Sequence, residues 1–291
     1  MTGYHRFLAG IRIHFFPELR NIAHMNIASG LTTSDIEQFR ELGYCVVDGL
    51  YDPSEIQEME DYFEDYKLKG HRAFEGRTIE EVDRTTTQVR AMHPHRHSDV
   101  ALGWALHPNV MDALHELLGT EAYLAQTMYY FKPPGTCGQG MHQDDFYLLT
   151  KPHHCMAAWT AIDDADKENG CLYMVPGSHK EKLLCPEGAT QENHWNHGKL
   201  SLAESTVKAV PCPVKRGQTV FFGGALIHGS TANRSKTRSR RTFIGHYCDG
   251  VTETISKHYH PVLDMQRNTV SRIEETLGGG PCGGTWQGEV H

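Results

Sequence analysis

Gly140-Met141-His142-Gln143-Asp144-Asp145-Phe146-Tyr147 is the stretch from which the rest of the chain is read. It places a histidine and a carboxylate two positions apart. On an extended strand, residues two apart share a face. His142 and Asp144 are therefore expected to aim an imidazole nitrogen and a carboxylate oxygen at one point, with Asp145 on the opposite face as a non-ligand. A second histidine, His228, follows much later in Ala225-Leu226-Ile227-His228-Gly229-Ser230. Two histidines and one carboxylate with open positions opposite form the ligand set of non-heme Fe(II) oxygenases. That reading requires a fold that returns His228 to the side of His142.

The texture of the chain supplies one. Short β-rich runs at 123–132, 156–162, 171–175, 207–210, 219–222, 225–228 and 242–248 are separated by turn residues such as Pro133-Pro134-Gly135 and Pro176-Gly177-Ser178. Several short strands punctuated this way indicate a sandwich or barrel. Helices come first. Thr32-Thr33-Ser34-Asp35 offers caps and an acidic first turn, and Gly43 is the stop. Pro53-Ser54-Glu55 opens a second helix, with Ile56, Met59, Phe63 and Tyr66 at helical spacing as far as Gly70. Pro108 opens a third, ended by Gly119. The expected fold is mainly β with flanking helices, a double-stranded β-helix (jelly roll, cupin-like barrel). Residues 1–30 read as an extension, 31–260 as the domain, and 261–291 as an irregular, Gly-rich segment packed on or beside it. Residues 183–205 form a polar insertion of the length that makes a lid, carrying His194, Trp195 and His197.

Composition narrows the partners. With 39% hydrophobic and 22% charged residues, the chain supports a packed core. A net charge of -8 argues against nucleic acid. No apolar run approaches the ~18 residues of a membrane span. The eight cysteines include no C-x-x-C pair, so reduced thiols in a cytoplasmic protein are expected. With 20 histidines, most must be non-ligands, and their number is no evidence for a metal. The expected partner is a small molecule, and the expected state a monomer or small homo-oligomer.

Three ligands on one face leave roughly three positions of an octahedral ion open. A bidentate 2-oxo acid fills two and leaves one for O2. The distal carboxylate of such an acid needs a cation, and the planar arginine fork suits it. Arg238-Ser239-Arg240-Arg241 follows His228 closely enough to supply one. Strand parity favours Arg240 or Arg238 over Arg241. Lys132 and the hydroxyl of Ser230 are further candidates.

These pieces, with others in the same order, resemble one family. They are Tyr130-Phe131-Lys132-Pro133-Pro134-Gly135, His142-Gln143-Asp144, Trp159-Thr160-Ala161-Ile162-Asp163-Asp164 and Glu168-Asn169-Gly170-Cys171-Leu172. Val175-Pro176-Gly177-Ser178-His179, His228-Gly229-Ser230 with Asn233, and Arg240-Arg241 with His246-Tyr247 complete the set. The chain looks like the phytanoyl-CoA dioxygenase-like group of Fe(II)/2-oxoglutarate-dependent oxygenases, the relatives of ectoine hydroxylase. The resemblance implies Fe(II) on His142, Asp144 and His228, and 2-oxoglutarate on Arg240, with O2 as cosubstrate. It places Lys132, Trp159 and Ser230 in the cosubstrate pocket and Gln126 against substrate. The family arginine usually stands where this chain has Ser239. Counting back from His246-Tyr247 selects Arg240, with Arg238 and Arg241 as alternatives.

The expected activity is hydroxylation of an unactivated C–H bond of a small polar or anionic metabolite, with release of succinate and CO2. Arg90, in a histidine-rich run, and His194 are the other expected substrate residues. Alternatives are desaturation, cyclisation or epimerisation at the same iron centre, or a non-oxygenase metal-binding cupin-like protein. The presence of Asp144 argues against halogenation, which requires a site freed of the carboxylate.

Overall fold

Thr32 opens the first helix, α1 (Thr33–Leu42), through a reciprocal capping box. Its hydroxyl accepts from Asp35 N, and the Asp35 carboxylate accepts from Thr32 N. Gly43 ends the helix in the left-handed region, as its position predicts. The computed structural model describes residues 30–68, 89–152, 154–184 and 208–276. The N-terminal extension, the expected lid with His194 and the Gly-rich tail lie outside the described residues. After α1 come α2 (Pro53–Leu68), α3 (Asp99–Ala105) and α4 (Pro108–Leu118). The short α3, capped by Ser98, is not among the helices the sequence leads one to expect.

Ten of the described strands form two antiparallel sheets. The larger runs β1 (Tyr44–Val47), β8 (Thr219–Gly223), β5 (Cys155–Ala161), β10 (Thr242–Asp249), β3 (Ala122–Tyr130), β2 (Arg90–Met92). The smaller runs β4 (Gln139–His142), β9 (His228–Ser230), β6 (Leu172–Met174), β7 (Val210–Cys212). This is the expected jelly roll, with its sheets facing each other and not closed into a continuous barrel. Period-two alternation divides the core. Met128, Tyr130, Trp159, Phe222 and Ile244 of the large sheet meet Leu172 and Met174 of the small one between the sheets. Their neighbours Tyr129, Phe131, Phe221 and Phe243 face the other way and pack on Ile56, Met59, Phe63 and Trp104 of the helices. Phe63 stacks on Tyr129 with ring centroids 3.9 Å apart. Each such buried side chain contributes about 1.5–3 kcal/mol, so the helices back the large sheet and leave its inner face for the site.

Three local expectations are corrected. β4 ends at His142, and Asp144 is already helical (φ -65°, ψ -36°) as the residue before α5 (Asp145–Leu148). His142 and Asp144 therefore converge through a turn and not through strand parity. The strand expected at 225–228 begins only at His228. Residues 238–241 precede β10, so parity does not govern which arginine points inward.

Beyond Tyr259 the chain is more ordered than its composition suggests. β12 (Glu274–Thr276) pairs in parallel with β11 (Thr254–Ser256), a strand not expected. Tyr259, Val262 and Ile273 join Tyr123, Leu148 and Cys155 in a separate buried cluster. Among the described residues no helix is long and apolar enough to cross a membrane. The six described cysteines are free thiols.

Candidate metal and cosubstrate site

The small sheet sets His142 and His228 side by side, paired in register across β4 and β9. Each ring donates from Nδ1 to the carbonyl two residues before it, His142 to Gly140 at 2.8 Å and His228 to Leu226 at 3.0 Å. A carbonyl only accepts, so each Nδ1 carries the proton and each Nε2 keeps its lone pair. The two Nε2 atoms lie 3.4 and 3.6 Å from Asp144 Oδ1. One ligand atom from each of the three residues falls within 4.8 Å of the others, and all three residues are buried. Three acceptors with no proton between them repel one another unless a cation sits among them. The donor set therefore fits a divalent metal, and nitrogen–nitrogen–carboxylate with no thiolate fits Fe(II).

Electrostatics agree with that reading. Burial opposes ionisation of Asp144, but the surrounding histidines, with the hydrogen bond from His246, outweigh it. The carboxyl is held well below the ordinary carboxylate range. Burial pushes His228 down to about 4, against the opposing field of Asp144, so the imidazole is neutral as a ligand must be. Asp145 points elsewhere. Its Oδ1 accepts from Thr150 Oγ1 and Cys155 N, and burial pushes its carboxyl up to about 7.

Beside this triad lies a cavity. Its walls include Lys132, Trp159, Ser230 and Arg240, the four residues expected around the cosubstrate, together with Tyr130 and Gln139. Gln139 joins cavity to triad, since its side-chain amide donates to His142 Nε2 at 2.9 Å. Arg240 is 4% exposed. Its Nε donates to Gly170 O at 3.2 Å, and its guanidinium carbon lies 5.4 Å from the Trp159 ring centroid and 6.0 Å from that of Tyr130. Lys132 Nζ donates to Gly170 O, Ser230 Oγ and Thr231 O. Burial pulls both cations down, Arg240 to about 10, and the charge of Arg240 lowers Lys132 further. Among the described residues, no carboxylate lines the cavity. An uncompensated buried charge is costly, so this cavity fits an anion.

The neighbouring arginines are committed elsewhere. Arg238 grips Asp166 and Glu168 near the surface. Arg241 grips Asp163, Glu60 and Glu64. Among the described residues, Arg240 alone of the three has no acidic partner. Two asparagines build the loop that aims it. Asn233 Nδ2 donates to Lys132 O and Arg238 O, and Asn169 Nδ2 to Asp164 O and Ser239 O. Their sequence signal is a polar residue beside glycine or in a turn, which does not reveal its long-range partners.

Gln126, expected against substrate, is fully buried on β3, opposite His246 in register. Arg90 Nη1 donates to Tyr130 OH at 3.1 Å, which ties it to the cavity wall. The Tyr147 ring lies 6.1 Å from that of His142. Tyr259 is fully buried, and its hydroxyl has no hydrogen-bond partner among the described residues. Burial raises both phenols, Tyr147 to about 12, and the nearby Asp144 charge adds to the shift. Of the histidine-rich run, His95 is structural: it is buried with Nδ1 2.7 Å from Thr127 Oγ1. The sequence alone assigned no role to Tyr130, Gln139, Tyr259 or His246. His194 lies outside the described residues.

Comparison with known proteins follows this geometry. A sequence profile of the phytanoyl-CoA dioxygenase (PhyH) family matches residues 39–242, more than half of the chain. Phytanoyl-CoA dioxygenase domain-containing protein 1 of Danio rerio is 28% identical over 264 residues, covering 74% of this chain and 89% of the relative. Phytanoyl-CoA dioxygenase 1 of Oryza sativa subsp. japonica is 37% identical over 143 residues, 48% of this chain and half (50%) of the relative. Among solved structures, the α-ketoglutarate-dependent carbocyclase SnoK from nogalamycin biosynthesis superposes with a TM-score of 0.63 at 24% identity, over 89% of this chain and 94% of its own. The epimerase SnoN, in complex with Fe3+, α-ketoglutarate and nogalamycin RO, gives 0.60 at 23%, over 76% and 84%. EctD from S. alaskensis, with 2-oxoglutarate and 5-hydroxyectoine, gives 0.61 at 20%, over 76% and 77%. At these identities the superpositions establish the fold.

Proposed function

The chain belongs to the phytanoyl-CoA dioxygenase family, and from that premise we propose that His142, Asp144 and His228 hold the iron and Arg240 holds the distal carboxylate of 2-oxoglutarate. Fe(II), 2-oxoglutarate and O2 are the cofactor and cosubstrates of this 2-oxoglutarate-dependent oxygenase. The reaction we assign is hydroxylation of an unactivated C–H bond in a small polar or anionic metabolite, with succinate and CO2 released. One observation carries the reading: three proton-free acceptors converge beside a cavity that holds two buried cations and no carboxylate.

When bound, the iron couples oxidative decarboxylation of 2-oxoglutarate to oxidation of the substrate C–H bond. The chain supplies position and charge. Arg240 offers its fork to the distal carboxylate, and Trp159 and Tyr130 keep water from that pair. Lys132, fully engaged with Gly170, Ser230 and Thr231, adds positive field without moving. Gln139 occupies the His142 Nε2 lone pair and must withdraw when that lone pair binds metal. Arg90, Gln126, Tyr147 and Tyr259 make the substrate side polar, which favours a small oxygen-rich or anionic substrate over a long acyl chain.

Anaerobic addition of Fe(II) and 2-oxoglutarate should produce a visible charge-transfer band that Asp144→Ala abolishes. No band with intact protein would sink the iron reading. A second reading, cyclisation or epimerisation at the same centre, is favoured by the carbocyclase and epimerase among the structural neighbours. Mass spectrometry of the product separates the two. Hydroxylation adds one oxygen atom, whereas cyclisation removes two hydrogens and epimerisation leaves the mass unchanged. Succinate release across a panel of small carboxylates and phosphates, with acyl-CoA thioesters alongside, identifies the substrate class.

A further inference from the structure

We propose that His246 is a positioning residue that commits Asp144 to a one-oxygen grip on the metal, an inference that rests on the iron reading above. The Asp144 carboxylate is divided between two environments. Oδ1 faces the Nε2 atoms of His142 and His228 at 3.4 and 3.6 Å. Oδ2 turns away and lies 3.2 Å from His246 Nε2. A carboxylate that ligates a metal only accepts hydrogen bonds, so His246 Nε2 carries the proton and donates.

The fold builds this contact deliberately. His246 and Asp144 are both fully buried. His246 lies on β10, flanked in register by Gln126 of β3 and Ala157 of β5. The pairing with β3 slips by one residue immediately after that position, between His246 and Tyr247. Such bulges re-aim side chains beside active sites. Tyr247 turns to the helical side and anchors there, its hydroxyl donating to Ala105 O at 2.6 Å. Ala157, opposite on β5, presents only a methyl group beside the imidazole.

The consequence is chemical. Carboxylates bind metals through one oxygen or through both. A donor fixed on Oδ2 holds the second oxygen off the metal point. The position it would occupy stays available to the cosubstrates. Partners that orient metal ligands typically influence metal affinity 10- to 100-fold.

The test compares two amides that differ in reach. His246→Gln places an NH2 near the position of Nε2, whereas His246→Asn is one methylene shorter and falls short of Oδ2. Each variant is titrated anaerobically with Fe(II) at fixed 2-oxoglutarate, and the charge-transfer band is followed. His246→Gln is expected to keep the band position and Fe(II) affinity of the parent protein. His246→Asn is expected to weaken Fe(II) about 10- to 100-fold and to displace the band. A purely packing role for the imidazole moves both amides alike, so equal Fe(II) affinities in the two, high or low, overturn the proposal. Parent protein without a band would overturn the iron reading itself, and this inference with it.

Discussion

Lys132 Nζ and Arg240 Nε donate to the same carbonyl, that of Gly170, at 3.4 and 3.2 Å. Two buried cations thus share one neutral acceptor and have no carboxylate along the cavity wall. Gly170 makes the arrangement possible. Its φ is +86°, and a Cβ there would lie 2.5 Å from Thr231 O and 2.9 Å from Lys132 Nζ. Like charges held together in a low-dielectric pocket destabilise the free protein and are relieved by an anion. Under the proposed assignment, 2-oxoglutarate would relieve that repulsion when it binds.

Replacing Arg240 tests this in both directions. Arg240→Leu removes the like-charge repulsion, so the protein without cosubstrate should melt no lower than the parent. The same change should weaken 2-oxoglutarate by about 2–5 kcal/mol and erase its protective thermal shift. Arg238→Leu, which cuts a surface pair with Asp166 and Glu168, should leave that shift intact. Thermal melts with and without 2-oxoglutarate decide the matter, and an equal loss in both variants would defeat the Arg240 placement.

Asn233→Ala should couple folding to cosubstrate binding. The side chain satisfies Lys132 O, Arg238 O and Ser235 N. Its loss leaves buried backbone groups unpaired and should cost about 3 kcal/mol. Because the same loop aims Arg240, 2-oxoglutarate affinity should fall together with the melting temperature. A variant that melts early yet binds 2-oxoglutarate normally would show that the loop does not position the arginine.

Acid should destabilise the fold through His95. Burial, then Arg96 and His97, push its imidazole down to about 3 from the ordinary 6.5. Below about pH 6.5 the unfolded chain takes up a proton that the folded chain refuses, so stability falls with pH at about 1.4 kcal/mol per unit until the folded pKa is reached. His95→Gln should lower stability at neutral pH by disturbing the Thr127 contact, and should flatten the fall between about pH 6.5 and 5. An unchanged slope of melting temperature against pH would show that His95 is not the group responsible.

Tyr259→Phe should separate substrate from cosubstrate. Removing a buried hydroxyl with no described partner should leave the melting temperature unchanged or raised. The Fe(II)/2-oxoglutarate band should persist. Succinate release stimulated by the substrate found in the panel should show a higher KM. If KM is unchanged, the phenol does not face the substrate.

The sequence by itself determined the helix boundaries at Thr32, Gly43 and Gly119, the two-residue alternation of the long strands, and the residue types of the site. Each is a local property: caps, periodicity and ligand chemistry depend on neighbours a few positions away. The tertiary structure alone decided how those residues meet. Asp144 reaches His142 through a turn and not along a strand, because the helix that follows begins at once. Arg240 is singled out because acidic partners distant in the chain engage Arg238 and Arg241. His246 meets Asp144 only where β10 runs past it, and Tyr259 is buried only where the C-terminal segment packs back onto the domain. Charge compensation and hydrogen-bond pairing are set by distance in space, and spacing along the chain does not carry them.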